Sequence, residues 1–148
     1  MAQPAEIRPI PWGSPDYQEA LRLRHEIMRV PLGLSLYDED LEAEKDQFHF
    51  GLYLGGALTA VGVLQDQGQG VAYLRQIAVQ PLFQGYGLGK QLLLHLEAFA
   101  QQRGFRRLTM HARSSAKGFY EKLGYRTQGA EFIQVTIPHQ IMEKDLPL

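Results

Sequence analysis

The feature that most constrains the fold of this chain is a glycine-rich segment between a strand-like and a helix-like stretch. It consists of Gln84, Gly85, Tyr86, Gly87, Leu88, Gly89 and Lys90. An apolar, β-prone stretch ends at Val79, and an amphipathic stretch with helical periodicity runs from Leu88 to Arg103. Alternate glycines let backbone N–H groups turn toward one point, and a helix start adds unpaired N–H groups and the positive end of its dipole. The sequence therefore predicts a loop that binds an anion, with phosphate as the leading choice.

The spacing of the glycines distinguishes this loop from two common nucleotide-binding motifs. A P-loop has a glycine five residues before the glycine of its Gly-Lys pair and Ser or Thr directly after that pair, but those positions hold Gln84 and Gln91. A G-x-G-x-x-G motif that starts at Gly85 would need a third glycine where this chain has Lys90. The remaining pattern is Q-x-x-G-x-G at the end of a strand and the start of a helix.

Length and composition fit one globular domain. The 148 residues are enough for one hydrophobic core, and 45% hydrophobic and 21% charged residues are ordinary proportions, so we expect residues 1–148 to form a single domain. Cysteine is absent, which excludes disulfides and thiolate chemistry. No apolar run approaches the roughly 18 residues of a membrane helix, and the N-terminus lacks the pattern of a signal peptide. We therefore expect a cytoplasmic protein without a membrane partner.

Charge is unevenly distributed along the chain. The net charge of −1 argues against a nucleic-acid partner. Residues 1–74 contain five Lys and Arg against eleven Asp and Glu, whereas residues 75–148 contain ten against five. The acidic half includes a cluster over residues 38–46. Two interpretations stay open: a solvated loop, or a surface that attracts a cationic amine while the basic half binds an anionic cofactor.

Periodicity and turn residues predict an alternation of strands and helices. Strands are expected at residues 6–10, 48–54, 57–64, 71–79, 107–111, 125–131 and 137–145, and helices at 15–29, 88–103 and 116–123. Ser14 is the expected cap of the first helix, Gly55-Gly56 the turn of a hairpin, and Ser114 and Ser115 the caps of the last helix. This order indicates an α+β or mixed α/β fold with helices on the faces of a sheet.

Three segments resemble the GCN5-related N-acetyltransferase (GNAT) family. The loop at 84–90 matches the pyrophosphate loop of the family, and Leu-Arg-Gln-Ile-Ala-Val at 74–79 looks like its fourth strand, which pairs with the pantetheine arm of the cofactor. Ala-Lys-Gly-Phe-Tyr-Glu-Lys-Leu-Gly-Tyr at 116–125 looks like its A-x-x-x-Y-x-K-x-G-[FY] signature. The resemblance covers about half of the chain. It implies the acyl-CoA N-acyltransferase fold, with a central, mostly antiparallel twisted sheet flanked by helices.

The resemblance also implies how a cofactor would bind. Acetyl-CoA would be the acyl donor, with its diphosphate on the loop at 84–90 and its pantetheine arm along Ile77, Ala78 and Val79. An N–H group near Ile77 or Val79 would polarise the thioester carbonyl. Arg113, at a position where many family members have asparagine, and Lys117 complete the cofactor-binding candidates. No metal is expected, because the histidines are too scattered for a metal site.

The implied reaction is the transfer of an acetyl group to an amine that attacks the thioester directly. Tyr120 is the candidate general acid, because a neutral phenol can give a proton to the departing thiolate. Without the surrounding signature, Tyr120 would be interpreted as a core residue on the apolar line of its helix. The amine must also lose a proton, and His139 and then His111 are the first candidates for the base, ahead of His49 and Glu131.

A narrower resemblance is to the ElaA-like branch of the family. It is carried by Met-His-Ala-Arg at 110–113 and by Ile-Pro-His at 137–139, whereas the branch pattern has a glutamate where this chain has Gln134. The expected partner is a small-molecule or peptide amine, and a homodimer stays open. Two alternatives to an enzyme also stay open: a non-catalytic CoA-binding sensor with the same fold, and an unrelated phosphate-binding module.

Overall fold

The computed structural model describes residues 4–147 and contains seven strands and three α-helices in that range. The strands are β1 (Ala5–Pro9), β2 (Phe48–Leu54), β3 (Ala57–Asp66), β4 (Val71–Val79), β5 (Arg107–Arg113), β6 (Arg126–Gln134) and β7 (Ile137–Asp145). The helices are α1 (Pro15–Met28), α2 (Leu88–Gln102) and α3 (Lys117–Lys122). Every predicted helix and strand is present with small shifts at its ends, the largest at the end of β6.

The strands form one sheet in the order β1-β2-β3-β4-β5-β7-β6. The pairs β1–β2, β2–β3, β5–β7 and β6–β7 are antiparallel, and β4 pairs with β5 in parallel. The described β4–β5 ladder runs from Val71↔Arg107 to Leu74↔Met110, although β4 itself continues to Val79. The mixed, mostly antiparallel sheet predicted from the sequence is confirmed, and the last residues of β4 lie beyond its pairing with β5.

The described residues group into two compact units. The first comprises the chain up to Gln65 together with Gln76–Leu96, and the second comprises Asp66–Arg75 and the chain from Glu97 onward. The boundary falls within β4 and within α2, so both of these elements contribute residues to each unit.

In the first unit, α1 begins where the sequence predicts. The Ser14 side chain accepts a hydrogen bond from the Tyr17 backbone N at 3.2 Å, and Pro15 occupies the first helical position, where its missing N–H is not needed. One face of α1 packs into the main apolar cluster of this unit. The buried members of that cluster are Ile10, Tyr17, Ala20, Leu21, Leu23, Leu36, Val61 and Ala78.

The first turns of α2 pack closely against β3. Leu92 and Leu96 are fully buried, and a Cβ atom added at Gly62 of β3 would lie 2.8 Å from Leu96 Cδ1. Glycine at this position therefore allows the helix to approach the strand. Among the helices of residues 4–147, none combines the length and apolar character that a bilayer crossing requires.

In the second unit, β5 lies between β4 and β7 and buries alternate side chains. Leu108, Met110 and Ala112 are buried, while the residues between them are partly exposed, as expected for a strand with one face in a core. Met110 is paired with Met142 of β7, which is also fully buried.

The predicted serine caps of α3 are wrong. Residues Ser114–Ala116 form a short 3-10 turn, and α3 begins at Lys117 with Ala116 as its N-cap and no side-chain capping bond. The Ser114 hydroxyl instead donates a hydrogen bond to Glu131 Oε2 at 2.7 Å. A tertiary partner on β6 thus replaces the local capping interaction that the residue type favours.

A strained two-residue turn joins β6 to β7. Gln134 pairs with Ile137, so the turn consists of Val135 and Thr136, with φ values of +43° and +70°. Two positive φ values in a two-residue hairpin are typical of a type I′ turn, which favours Asn-Gly, and β-branched residues rarely adopt them. The strand β6 therefore reaches Gln134, three residues beyond the end at Glu131 that the sequence predicts.

Replacing the turn by its preferred residues is expected to stabilise the protein. The double variant Val135→Asn/Thr136→Gly removes two strained β-branched residues, each of which costs about 1–3 kcal/mol, while the introduced glycine loses about 1 kcal/mol more in backbone entropy on folding, so the unfolding free energy should rise by about 1 kcal/mol or more. Urea denaturation followed by circular dichroism measures this change. An unchanged or lower midpoint would contradict the assignment of strain to the turn.

Candidate active site

The glycine loop has the backbone conformation that its composition predicts. Gly85 and Gly87 have φ values of +87° and +79°, and a Cβ atom added at either position would meet nothing within 4 Å. Glycine is therefore required by the backbone angles and not by crowding. Gly89 lies within the first turn of α2, so two of the three glycines shape the loop itself.

The loop leads directly into the N-terminus of α2. The Gln91 N donates a helical hydrogen bond to the Gly87 O at 3.0 Å. The N–H groups of the residues before Gln91 therefore lie in the first turn, where a helix has no acceptors for them. Lys90 is exposed on this turn, as is Tyr86 in the loop. Backbone donors, the positive end of the helix dipole and a lysine therefore coincide at one exposed location, which suits an anionic group.

A side-chain contact ties the loop to the end of β4. Gln84 Nε2 donates a hydrogen bond to the Val79 carbonyl at 3.0 Å. The loop and the strand that precedes it, which the sequence analysis assigned to one cofactor, are thus held together within the first unit.

The backbone at the end of β4 has a defined direction. The Gln80 N donates to the Thr59 O of β3 at 2.9 Å, so the backbone groups of Gln80 face β3. In a strand, the groups of alternate residues point to opposite edges, so those of Ala78 also face β3 and those of Ile77 and Val79 face the other edge. The Val79 carbonyl accepts the Gln84 side chain, which agrees with this direction.

Tyr120 lies on α3 in the second unit and is half-buried. Its ring makes edge-on contacts with Phe119 and Tyr125, with centroid separations of 5.0 Å and 5.8 Å. Burial disfavours the phenolate and raises the pKa of Tyr120 to about 12. The phenol therefore stays protonated at neutral and moderately alkaline pH and can act as a hydrogen-bond or proton donor.

The two leading base candidates lie in one aromatic cluster of the second unit. The ring of Phe132 is 5.1 Å from that of His111 and 6.1 Å from that of His139, and the Tyr73 ring is 5.2 Å from His111. His111 is partly exposed, whereas His139 is buried. No local pattern in the sequence indicates this grouping, because it depends on the pairing of β5, β6 and β7.

The hydrogen bonds of the two histidines define which ring nitrogen is basic. His139 Nδ1 lies 2.9 Å from the Ile137 O, and because a carbonyl can only accept, Nδ1 carries the proton and Nε2 holds the lone pair of the neutral ring. His111 Nδ1 lies 3.1 Å from Gln134 Oε1. Gln134, where the branch pattern has a glutamate, is therefore a partner of His111.

Other sequence candidates have structural partners. His49 is buried and its Nε2 lies 2.9 Å from the Glu44 O, and Glu131 accepts a hydrogen bond from the Ser114 hydroxyl, so both side chains have partners within the fold. Arg113 is paired with His139 across β5 and β7, and Lys117 is the first residue of α3. Among residues 4–147, no group of three or more acidic or histidine side chains forms a metal site.

The acidic cluster is partly used inside the fold. Glu44 is buried against Arg24, with a closest N–O distance of 2.6 Å, and Glu39 pairs with Arg29 at 2.6 Å. The sequence analysis missed Arg24 and Gln76, although both interrupt otherwise apolar faces. That interruption was the available signal, because a polar side chain on a buried face needs a polar partner.

The fold and the loop together define a class of protein, and the family comparison agrees. The mixed seven-stranded sheet and the glycine loop at the start of α2 agree with the acyl-CoA N-acyltransferase fold that the sequence resemblance implies. Residues 22–146 match the family described as acetyltransferase (GNAT) domain. The chain therefore belongs to the GNAT family.

Individual relatives support the same fold. The uncharacterised protein YyaT of Bacillus subtilis is 31% identical over 135 residues, which cover 88% of this chain and 90% of that protein. A provisionally assigned N-acetyltransferase from Lactobacillus plantarum has a TM-score of 0.85 at 27% identity, covering 97% of this chain and 99% of that one. A Bacillus subtilis acetyltransferase solved in complex with CoA has a TM-score of 0.77 at 20% identity, covering 97% and 100%. The narrower ElaA-like assignment stays a prediction.

Proposed function

We propose that this protein is an acetyl-CoA-dependent N-acetyltransferase in which an amine attacks the thioester directly. The observation that carries the proposal is the end of β4, which continues past its ladder with β5 and directs the backbone groups of Ile77 and Val79 away from β3. Gln84 joins this edge to the glycine loop at the start of α2. Residues 1–148 act as one catalytic domain in this proposal.

The proposed cofactor contacts follow from the loop and the strand. The diphosphate of CoA accepts hydrogen bonds from the N–H groups of Gly85 to Gly89, and Lys90 adds a positive charge. The pantetheine arm pairs with Ile77 to Val79, and Arg113 and Lys117 supply further cationic groups. Support comes from the family and from the related fold of the Bacillus subtilis acetyltransferase that was solved with CoA.

The proposed reaction uses the β4 edge and Tyr120. The amine nitrogen attacks the thioester carbon, and the N–H of Ile77 or Val79 stabilises the negative charge that develops on the carbonyl oxygen. The C–S bond then breaks, and Tyr120 gives its proton to the thiolate. Because the pKa of Tyr120 is raised to about 12, this transfer occurs together with C–S cleavage and not before it.

His139 is the proposed base. A primary alkylamine has a pKa near 10.4 and is mostly protonated at neutral pH. The Ile137 carbonyl holds the proton of His139 on Nδ1, which leaves the Nε2 lone pair to receive a proton from the amine, directly or through water. His111 is the alternative, with its Nδ1 beside Gln134.

The proposed acceptor is an amine of a small molecule or a peptide. Asp38, Asp40 and Glu42 are exposed carboxylates of the acidic cluster, while Glu39 and Glu44 have arginine partners. The three exposed carboxylates favour a cationic amine, since they raise its local concentration through long-range attraction.

The first prediction concerns the glycine loop. Gly87→Ala forces an L-residue to φ near +79°, at a cost of about 1–2 kcal/mol, and should weaken acetyl-CoA binding roughly tenfold or more. Gly33→Ala is the matched control, because Gly33 has φ +71° with nothing near its Cβ position and lies outside the loop. Isothermal titration calorimetry measures both affinities, with ATP and NAD as competing ligands. Equal binding of all three ligands to the wild type would contradict the assignment of the loop to CoA.

The second prediction concerns Tyr120. Tyr120→Phe should leave the CoA dissociation constant unchanged and lower kcat by about 10²-fold, the usual size of a general-acid contribution. Tyr125→Phe is the control: it makes the same change at a buried hydroxyl that donates to Glu97 Oε2 at 2.6 Å, and should reduce stability without lowering kcat per folded molecule. A thiol-release assay with an amine panel gives kcat. An unchanged kcat in Tyr120→Phe would indicate that Tyr120 is only a core residue. CoA binding by the wild type without turnover of any amine would favour the CoA-binding sensor.

The third prediction separates the two histidines. His139→Gln should lower kcat/KM about 10²-fold at pH 7, and the deficit should shrink as the pH approaches the pKa of the amine, because the free amine then no longer needs a base. His111→Gln should change kcat/KM little across the same range. The pH profiles of both variants provide the measurement, and the opposite ranking would transfer the role to His111.

A further inference from the structure

A buried polar network connects α1 to β4 within the first unit. The Arg24 side chain is fully buried and forms a two-point ion pair with Glu44, with Nη1–Oε1 and Nη2–Oε2 distances of 2.9 Å and 2.6 Å. The hydroxyl of Tyr17 donates to the same carboxylate at 2.8 Å. A third donor of Arg24, its Nε–H, is directed to the side-chain carbonyl of Gln76 on β4.

Stability alone does not account for this network. A buried ion pair must overcome the loss of hydration of both charges, and apolar replacements of similar volume are often equally or more stable. Gln76 lies on a face of β4 whose other members, Ala72, Leu74 and Ala78, are apolar and buried. An apolar residue at position 76 would pack there without needing a partner. A directional polar contact at this position restricts the side chain of Gln76 more than apolar packing would.

The residue that this contact restricts is next to the proposed thioester contact. Gln76 and Ile77 share a planar peptide unit, so holding the Gln76 Cα and side chain restricts the direction of the Ile77 N–H. Gln76 and Ile77 also lie beyond the last described pair of the β4–β5 ladder, Leu74↔Met110, so that ladder does not fix this peptide. Along this stretch β4 keeps β3 as its neighbour in the sheet, and the guanidinium of Arg24 adds a second restraint through the side chain of Gln76.

We propose that Arg24 and Gln76 are positioning residues that aim the Ile77 N–H at the thioester carbonyl oxygen, an inference that rests on the proposed acetyltransferase function. Arg24 acts through Gln76, and Glu44 holds Arg24 by two hydrogen bonds at a fixed angle. As the amine forms its bond to the carbonyl carbon, the electron pair of the C=O bond moves to oxygen, and it returns when the C–S bond breaks. A donor that is misaligned by a fraction of an ångström loses most of its effect on this charge.

The test is Gln76→Met, which keeps the shape of the side chain and removes the acceptor of the Arg24 Nε–H. We expect kcat to fall about tenfold or more, and the dissociation constant of CoA, which lacks the thioester carbonyl, to stay within about twofold. A spectroscopic readout tests the same contact without turnover. Infrared difference spectra of bound acetyl-CoA labelled with ¹³C at the carbonyl should show a stretch nearer the free thioester in the variant than in the wild type.

A second variant and a control distinguish the loss of the Arg24–Gln76 contact from other effects of the substitution. Arg24→Lys keeps a charge opposite Glu44 but lacks the Nε–H that Gln76 receives, so it should show the same kcat loss and spectral shift. Arg29→Lys is the matched control, because Arg29, at the C-cap of α1, pairs with Glu39 and has no described contact with Gln76. Its kcat and carbonyl stretch should match those of the wild type.

The outcomes separate this inference from the proposed function. Absence of CoA binding and turnover in the wild type would overturn both. Wild-type turnover with a normal kcat and carbonyl stretch in Gln76→Met and Arg24→Lys would overturn only the positioning role. If neither variant folds while Arg29→Lys does, the network is a stability element and the positioning role is also overturned.

Discussion

The structure depends on the point where the parallel ladder between β4 and β5 ends. Pairing stops at Leu74 and Met110, and β4 continues to Val79 with alternate backbone groups directed away from β3. A strand that extends beyond its neighbour has backbone hydrogen-bonding groups available to a ligand. An extended ligand can pair with these groups in the way that an added strand pairs with the edge of a sheet. The glycine loop and the start of α2 follow within a few residues, so the proposed contacts with an amide-containing arm and with a phosphate group are adjacent along the chain.

Polar side chains restrain the part of β4 that lies beyond its ladder with β5. Gln84 binds the Val79 carbonyl from the loop, and Arg24 reaches Gln76 from α1. Apolar packing of Ala78 in the main cluster fixes the distance between strand and helix, but it gives little control over rotation about the strand axis. Directional hydrogen bonds supply that control. The first unit thus combines an apolar core for stability with a few polar contacts for orientation.

Much of the fold could be predicted because its signals are local. The Ser14-Pro15 start of α1, the Gly55-Gly56 hairpin and the glycines of the loop each act within a few residues, and the structure confirms them. Signals that depend on distant partners were missed. Ser114 looked like a helix cap but binds Glu131, and the grouping of His111 with His139 follows from strand pairing that a single sequence does not reveal. Gln76 and Arg24 could have been noticed as polar residues on apolar faces, but not as partners 52 positions apart.

The tight connection between β6 and β7 also determines which side chains share a face. Val135 and Thr136 leave no spare residue in the turn, so Gln134 pairs with Ile137, and Phe132 pairs with His139. Side chains alternate along a strand, and one added residue would move His139 and Ile141 from one face of β7 to the other. Relatives that differ in the length of this hairpin would therefore present a different set of side chains toward Phe132. A change in the length of this hairpin would therefore alter the side chains near Phe132 without altering any residue of the glycine loop.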